Sequence, residues 1–273
     1  MGSFPLQNRP LRLAILETDT PLPGIVAKYK GGYGTIFTDM FRRAVAPSPL
    51  ESVLTISTHH IVPDNPSSET SWRSEYPPLD EIDGILITGS RYNAFDNDEW
   101  ITTLVEYTRK ALSTTITTAV DGDIKKGVRV IGVCYGHQIV GRTLGVPVGR
   151  TDHGGWEVSV TETKLTPAGK QLFGKDTLKM QQMHRDQVKG LPAGAELLAE
   201  TDTCPNQGFI IPGRAITVQG HPEFTAEIIK EILETRHDAG VITDDIYRSG
   251  IDRMADEHDG VLLARAFLDF LQQ

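Results

Sequence analysis

Short apolar runs that alternate with amphipathic stretches constrain the fold of this chain more than any other feature of its sequence. Four runs in the first half have the length and content of buried strands: residues 11–16, 53–56, 84–88 and 128–133. Two stretches, 36–45 and 98–112, place apolar side chains at helical spacing. Strands that alternate with helices in this way predict βαβ units, whose parallel strands are joined by right-handed crossovers. Two proline-rich stretches are expected to be loops, residues 21–34 and 61–80.

The second half of the chain has a different pattern. Four alternating runs separated by turn residues indicate more strands, some of them antiparallel: residues 157–161, 178–183, 196–199 and 215–219. Helical periodicity returns over residues 225–237 and 261–271. We predict an α/β fold with an open, mostly parallel central sheet flanked by helices, and additional antiparallel strands in the second half. We expect a single domain over residues 1–273, with a helical extension at about 240–273.

Composition excludes several classes of function. The 36 acidic residues outnumber the 27 basic ones, for a net charge of -9, which argues against binding to nucleic acid or to an anionic membrane surface. No apolar run has the length of a membrane span, and the first residues lack the pattern of a secretory signal. The 2 cysteines, Cys134 and Cys204, share no metal-ligand spacing and cannot form a disulfide framework. We therefore expect a cytoplasmic protein with reduced cysteines.

A candidate nucleophile lies where the run 128–133 ends. The sequence Gly-Val-Cys-Tyr-Gly at 132–136 places Cys134 between a strand and a stretch that is predicted to be helical, in the form of a nucleophile elbow with cysteine in place of serine. Glycines on both sides permit such a sharp turn, and the start of a helix favours the thiolate. The alternative is a buried cysteine that acts only as a small apolar side chain.

A candidate base follows another predicted strand. In Gln-Gly-His-Pro-Glu at 219–223, His221 has the chemistry to take a proton from a thiol and return it to a leaving group. The carboxylate of Glu223 has the chemistry to orient the imidazole and stabilise its protonated form. Because Cys134 and His221 each end a predicted core strand, we expect the fold to bring them together as a Cys-His-Glu triad.

The run 84–88 also ends in residues with a possible role. Gly89 and Ser90 form a turn at its carboxyl end, which is the edge where ligands bind in open α/β sheets. A backbone N–H of this turn, together with the amide of Tyr135, would form an oxyanion hole. The alternative is an ordinary turn that closes a strand.

These motifs resemble those of the class I glutamine amidotransferases. Residues 132–138 match the nucleophile signature of that family, 219–223 match its His/Glu signature, and 89–90 fall where it has its oxyanion loop. Residues 89–96 and 183–188 look most like stand-alone members, among them plant γ-glutamyl peptidases and fungal amidotransferase-like proteins. The resemblance implies a flavodoxin-like amidotransferase fold.

The resemblance also implies a mechanism without a metal or other cofactor. Cys134 would attack a γ-glutamyl amide, and His221 would protonate the departing amine before water releases glutamate from the thioester. By the same resemblance, Gln138 and Asp186 lie near the glutamyl group of a small-molecule substrate. We add Arg91 and Tyr92 as candidates for contact with the leaving portion.

Three functions stay open at this point. Members that feed ammonia to a synthase usually have serine or glycine at the position of Arg185, and no synthase domain follows Glu223 in this sequence. Hydrolysis of a γ-glutamyl peptide or conjugate is therefore the first hypothesis. A glutaminase subunit that serves an unlinked synthase is the second. The third is a binding or regulatory protein that keeps the triad without using it.

Other reactive residues fit structural roles better. The pair His59 and His60 is interpreted as solvated, and His153 either lines the pocket or makes a structural hydrogen bond. His184 is expected at a strand end. Cys204, which precedes a proline in a turn, is expected to be inert.

Overall fold

The computed structural model describes residues 9–63, 76–114, 117–118, 124–125, 127–151 and 155–273. The strands are β1 (Leu11–Glu17), β2 (Leu54–His60), β3 (Gly84–Ile87), β4 (Thr117–Thr118), β5 (Ile124–Lys125), β6 (Arg129–Val133), β7 (Val148–Arg150), β8 (Glu157–Leu165), β9 (Thr177–His184), β10 (Asp186–Val188), β11 (Glu196–Glu200), β12 (Gly208–Ile211) and β13 (Ala215–Val218). The helices are α1 (Pro23–Tyr29), α2 (Tyr33–Val45), α3 (Glu99–Ser113), α4 (Tyr135–Thr143), α5 (Pro167–Phe173), α6 (Ala226–Asp238), α7 (Asp244–Arg253) and α8 (Gly260–Gln272).

One mixed sheet organises the molecule. Its strand order is β2-β1-β3-β6-β13-β12-β11-β8-β9. The strands from β2 to β13 in this order are parallel, whereas the pairs from β13 to β9 are antiparallel. Outside this sheet, β7 pairs with β10 and β4 with β5, both in antiparallel fashion. The prediction of a mostly parallel sheet extended by antiparallel strands in the second half is confirmed.

The parallel strands are covered by helices on both faces because their side chains alternate between two apolar layers. Leu13 and Ile15 of β1 belong to the same buried cluster as the apolar faces of α2, α6 and α8. Ala14 and Leu16 point the other way, into the cluster that includes α3 and α4. Strands that are buried on both faces explain the near-continuous apolar runs of the sequence. In the part of the chain that is described, the helices are too short or too polar to cross a membrane.

One predicted loop is partly wrong. The stretch 21–34 contains the helix α1, which begins at a proline and ends where Lys30 adopts a left-handed conformation with φ 51°. Proline suits the first turn of a helix because its φ is already helical and its missing N–H has no intrahelical acceptor. The buried side chain of Ile25 anchors this short helix to the core. Most of the second predicted loop lies outside the described residues.

The topology fixes where the candidate residues meet. β3 and β13 both lie beside β6 and run parallel to it, so their carboxyl ends share one edge of the sheet. Gly89, Cys134 and His221 follow these three strands within one to three residues. β1 is the next strand along, and its end adds Asp19 to the same edge. This is the edge at which open α/β sheets bind their ligands.

Candidate active site

Cys134 occupies a strained turn between β6 and α4. Its backbone has φ 53° and ψ −103°, a conformation that a residue with a side chain rarely adopts. Two glycines make the turn possible: a Cβ on Gly132 would lie 2.7 Å from the carbonyl carbon of Gly136, and one on Gly136 would lie 2.2 Å from the oxygen of Ile87. The sharp turn therefore has the geometry of a nucleophile elbow, as the spacing of the glycines predicts.

His221 and Glu223 are joined by a short hydrogen bond. Nδ1 of His221 donates to Oε1 of Glu223 at 2.8 Å, and the backbone N–H of His221 donates to the carbonyl of Gln181 at 2.7 Å. The ring of Phe224 stacks on the imidazole, with centroids 3.9 Å apart and planes at 5°. These three contacts fix both the position and the tilt of the imidazole. With Nδ1 bonded to Glu223, Nε2 is the ring nitrogen left to face another group.

The sulfur of Cys134 lies close enough to the side chain of His221 to interact with it electrostatically. Cys134, His221 and Glu223 expose only 5%, 4% and 1% of their surface. Burial by itself would lower the pKa of His221, but the charges of Glu223 and Cys134 and their hydrogen bonds raise it to about 10. The imidazole of His221 is thus placed beside the sulfur of Cys134 and bonded to Glu223, where it has the chemistry to take the thiol proton and pass it to a leaving group.

Gly89 and Ser90 pack directly beside this imidazole. A Cβ on Gly89 would lie 2.6 Å from Cε1 of His221. Thr18 holds the turn by donating from its hydroxyl to the carbonyl of Gly89 at 2.9 Å, and Oγ of Ser90 donates to the carbonyl of Thr18 at 2.8 Å. The Ser90 hydroxyl is thus used within the turn, which leaves backbone amides as the groups of this turn suited to an oxyanion.

The amide of Tyr135 directly follows the nucleophile in the chain. Tyr135 is the first residue of α4, so its N–H has no acceptor within the helix. The next amide, that of Gly136, donates to the carbonyl of Thr88 at 3.2 Å and so ties the start of α4 to the turn that contains Gly89. The side chain of Tyr135 points into the core, where its ring stacks on Trp100 at 6.0 Å. The structure therefore brings the three predicted oxyanion residues together around Cys134.

Gln138 and Asp186 are neighbours, as expected. Nε2 of Gln138 donates to the backbone carbonyl of Asp186 at 3.0 Å and to Oε1 of Gln219 at 3.1 Å. Burial raises the pKa of Asp186, although the cations of Arg185 and Arg150 oppose the shift. Within the described residues, Oδ1 of Asp186 is buried and has no hydrogen-bond partner. A buried carboxylate oxygen of this kind is available to a polar group of a ligand.

Arg91 and Tyr92 lie on the loop after Ser90. The guanidinium of Arg91 contacts Oδ1 of Asp19 at 2.6 Å, and the amide of Arg91 donates to the other oxygen of Asp19 at 2.8 Å. Tyr92 packs edge-on against Trp100, at 5.2 Å between centroids. Both side chains border the edge of the sheet, but the charge of Arg91 is already paired.

Two cations near the nucleophile were not predicted as a group. Arg236 of α6 lies over the ring of Trp156, 4.3 Å from its centroid, and Arg185 lies 5.3 Å from the same centroid. Trp156 immediately precedes β8, and Arg185 follows β9, the neighbouring strand. The sequence places Arg236 only near the end of a helix, so nothing local signals this contact.

The remaining histidines and Cys204 take structural positions. His184 is the last residue of β9, and its Nε2 lies 2.9 Å from Oε2 of Glu157. Cys204 lies beside this pair, so that one potential ligand atom from each of the three residues lies within 4.8 Å of the others. These are the residues of the described ranges whose chemistry would suit a metal ion. The Glu157 carboxylate already accepts hydrogen bonds from Thr201, Thr203 and Gln207. His59 and His60 end strand β2, and His153 is outside the described residues.

Comparison with known proteins yields consistent similarities. The family model described as glutamine amidotransferase class-I matches residues 58–237. A glutamine amidotransferase-like protein of Schizosaccharomyces pombe is 30% identical over 262 residues, which cover 95% of this chain and 98% of that protein. Gamma-glutamyl peptidase 3 of Arabidopsis thaliana is 34% identical over 162 residues, or 57% of this chain and 60% of that protein. The crystal structure of a glutamine amidotransferase from Thermotoga maritima shares the fold, with a TM-score of 0.67 and 18% identity over 97% of this chain and 100% of that chain.

Proposed function

This chain belongs to the class I glutamine amidotransferase family, and from that premise we propose that it hydrolyses γ-glutamyl amide bonds with Cys134 as the nucleophile. The observation that carries the proposal is the series formed by the sulfur of Cys134, the imidazole of His221 with which it interacts, and the carboxylate of Glu223, which is hydrogen-bonded to Nδ1 of His221 at 2.8 Å. Such a series supplies a nucleophile, a proton carrier and a group that orients the carrier, which together suffice for acyl transfer.

In the first half of the reaction, the Cys134 thiolate attacks the γ-carbonyl carbon and a carbon–sulfur bond forms. The carbonyl electron pair moves onto oxygen, and the oxyanion is stabilised by backbone amides of the turn at Gly89 and Ser90 and by the amide of Tyr135. When the oxyanion collapses, the carbon–nitrogen bond breaks. The departing nitrogen takes the proton from the His221 imidazolium, and the γ-glutamyl thioester stays on Cys134.

In the second half, water replaces the amine. Neutral His221 accepts a proton from the attacking water, a carbon–oxygen bond forms, and the same amides hold the new oxyanion. Collapse breaks the carbon–sulfur bond and releases glutamate. The thiolate and the imidazolium are then restored, so the cycle consumes one water for each amide and needs no cofactor.

The glutamyl portion is assigned to the pocket beside Gln138 and Asp186. Gln138 fixes the backbone of Asp186 by its hydrogen bond to the carbonyl, and the buried carboxylate of Asp186 is then available to a donor such as an α-amino group. Arg91 and Tyr92 border the route that the leaving group would take. The similarity to gamma-glutamyl peptidase 3 supports a peptide or conjugate as the substrate.

A second candidate is a glutaminase subunit that delivers ammonia to a separate synthase, which the family name amidotransferase supports. The bulky Arg185, where synthase-associated relatives usually have serine or glycine, favours the hydrolase instead. Either reaction requires Cys134 to stay reduced, so we propose a reducing compartment, the cytoplasm, as its location. A regulatory protein with an unused triad is the third candidate, and labelling separates it from the other two.

Intact mass spectrometry tests the proposal. The purified protein is mixed separately with glutamine, with γ-glutamyl peptides and with a glutamine-like electrophile, and Cys134→Ala and Cys204→Ala are treated in parallel. We expect an adduct in the wild type and in Cys204→Ala but not in Cys134→Ala, with glutamate released from γ-glutamyl peptides by the protein alone. Labelling with glutamate release only after a synthase is added would favour the second candidate. No labelling would overturn both enzymatic candidates.

A further inference from the structure

Arg236 makes no ion pair with any of the described residues. Its guanidinium is partly buried against the ring of Trp156, at 4.3 Å from the centroid. Among the described residues, no carboxylate lies within 4.0 Å of it. A charge that is removed from water without a partner is costly, and proteins seldom maintain one unless a ligand completes the pair.

The position of Arg236 connects it to the active site. Burial lowers the pKa of Arg236, whereas the sulfur of Cys134 and the hydroxyl of Tyr33 raise it, so the guanidinium is within electrostatic reach of the nucleophile. Tyr33 stacks on Phe224, which in turn stacks on His221. The ring of Trp156, which Arg236 shares with Arg185, places this charge next to the segment that contains Asp186.

Arg185 adds a second positive charge to the same place. It contacts the ring of Trp156 at 5.3 Å and immediately precedes Asp186, whose carbonyl is held by Gln138. Its nearest carboxylate, that of Asp186, is 3.9 Å from Nε, a long and weak contact. One indole thus carries two guanidinium groups at the edge of the pocket, an arrangement in which cation–π contact fixes both without neutralising either.

Arg91 provides a contrast in the same region. Its guanidinium lies 2.6 Å from Asp19, which is almost fully buried, so its charge is compensated inside the protein. Within the described ranges, the candidate site is therefore bordered by one arginine in a 2.6 Å ion pair and by two arginines that have no carboxylate closer than 3.9 Å. An anionic ligand would bind more strongly to Arg185 and Arg236 than to Arg91, whose charge is already paired with Asp19.

We propose that Arg236, with Arg185 and Trp156, binds a carboxylate of the substrate. The inference rests on the proposed function, because a γ-glutamyl peptide has two carboxylates, one on the glutamyl portion and one on the leaving group. Planar guanidinium groups bind carboxylates through paired hydrogen bonds, and partial burial strengthens those bonds.

Three substrates separate the two carboxylates. The parent is a γ-glutamyl dipeptide, the second has the leaving-group carboxylate amidated, and the third has the glutamyl α-carboxylate amidated. We expect Arg236→Gln to lower kcat/KM for the parent by about 10- to 100-fold. Amidating the carboxylate that Arg236 binds should lower kcat/KM of the wild type by a similar factor, but it should not lower kcat/KM of Arg236→Gln any further. The amidated substrate that behaves in this way identifies the bound carboxylate. Arg236→Lys should recover part of the rate, and Arg248→Gln, an exposed arginine of α7, should match the wild type.

A second readout does not need turnover. Iodoacetate carries a carboxylate and iodoacetamide does not, so the ratio of their rates with Cys134 reports an anion preference at the pocket. We expect Arg236→Gln to lower this ratio, because the ratio cancels any change in the reactivity of Cys134 itself. Equal effects of Arg236→Gln on all three peptides with an unchanged alkylation ratio would overturn the inference and leave the proposed function standing. If the wild type cleaves none of the peptides, the proposed function fails, and the alkylation ratio decides the anion site.

Discussion

Gly89 lies so close to the imidazole of His221 that a Cβ in its place would be 2.6 Å from Cε1. The imidazole cannot move away easily, because Phe224 stacks on it and Glu223 holds its Nδ1. The absence of a side chain at residue 89 is therefore what allows His221 to reach Cys134.

The first prediction follows from this contact. Gly89→Ala should displace the imidazole and lower kcat/KM for a γ-glutamyl substrate by about 100-fold, since a shift of roughly 1 Å in a reacting group has that effect. Steady-state kinetics measure it. Gly149→Ala is the matched control, because a Cβ there meets only Cε of Lys189 at an ordinary 3.5 Å, and it should stay within about twofold of the wild type. Equal activity of the two variants would contradict the role of Gly89.

The position of these residues could be predicted because it depends on topology. Parallel strands end at one edge of a sheet, so residues that follow core strands of one parallel sheet are expected at that edge, and the order β3-β6-β13 makes these three strands neighbours. The glycines around Cys134 indicated the sharp turn for a similar reason, since a turn of this kind leaves no space for side chains. Such signals are local, and local signals are what a sequence carries most clearly.

Other features of the fold and the site were not predicted, and one of them depends on a contact between distant segments. The ring of Trp156 meets Arg236, 80 residues later in the chain, and nothing near either residue indicates the contact. Helix α1 was missed because its proline was interpreted as a breaker, whereas at the first turn proline fits a helix. Strand β12 was missed because it is only four residues long and begins at Gly208, a residue type that is depleted in strands.

A second prediction concerns pH. The fold raises the pKa of His221 to about 10, above the ordinary value of about 6.5, so the folded protein keeps a proton that the unfolded chain releases. This contribution to stability is complete below about pH 6.5 and is lost as the pH rises through about 10. Denaturant unfolding over that interval should show the decline. Glu223→Gln removes the main charge that raises the pKa, so its decline should be smaller and begin at lower pH.

The same substitution should also slow the reaction. Glu223→Gln keeps the size of the side chain but loses the charge that stabilises the imidazolium, and kcat should fall by about 100-fold or more. A rate equal to that of the wild type would show that Glu223 has only a structural role. An unchanged pH dependence of stability would show that His221 does not titrate as inferred.

A third prediction tests the strain at Cys134. Both Cys134→Ala and Cys134→Gly remove the sulfur, but only glycine adopts φ 53° and ψ −103° without a steric penalty. Alanine would be strained in this conformation, whereas glycine loses more backbone entropy on folding. The difference between these two costs should leave the glycine variant more stable than the alanine variant by about 1 kcal/mol. Urea denaturation of the two variants measures the difference. If alanine is the more stable of the two, the turn is relaxed.

The fourth prediction compares the two cysteines. Cys204 exposes 1% of its surface, and burial raises its pKa to about 12, so the native protein should present almost no Cys204 thiolate near neutral pH. Cys134, whose sulfur interacts with His221, should react quickly despite its own burial. Native protein treated with iodoacetamide should therefore gain one label and Cys134→Ala none, whereas both should gain one more when unfolded in denaturant. Peptide mapping locates the label. Modification of Cys204 at a rate comparable to that of Cys134 would contradict the prediction. It would show that the segment around Glu157 and Cys204 opens in the native state.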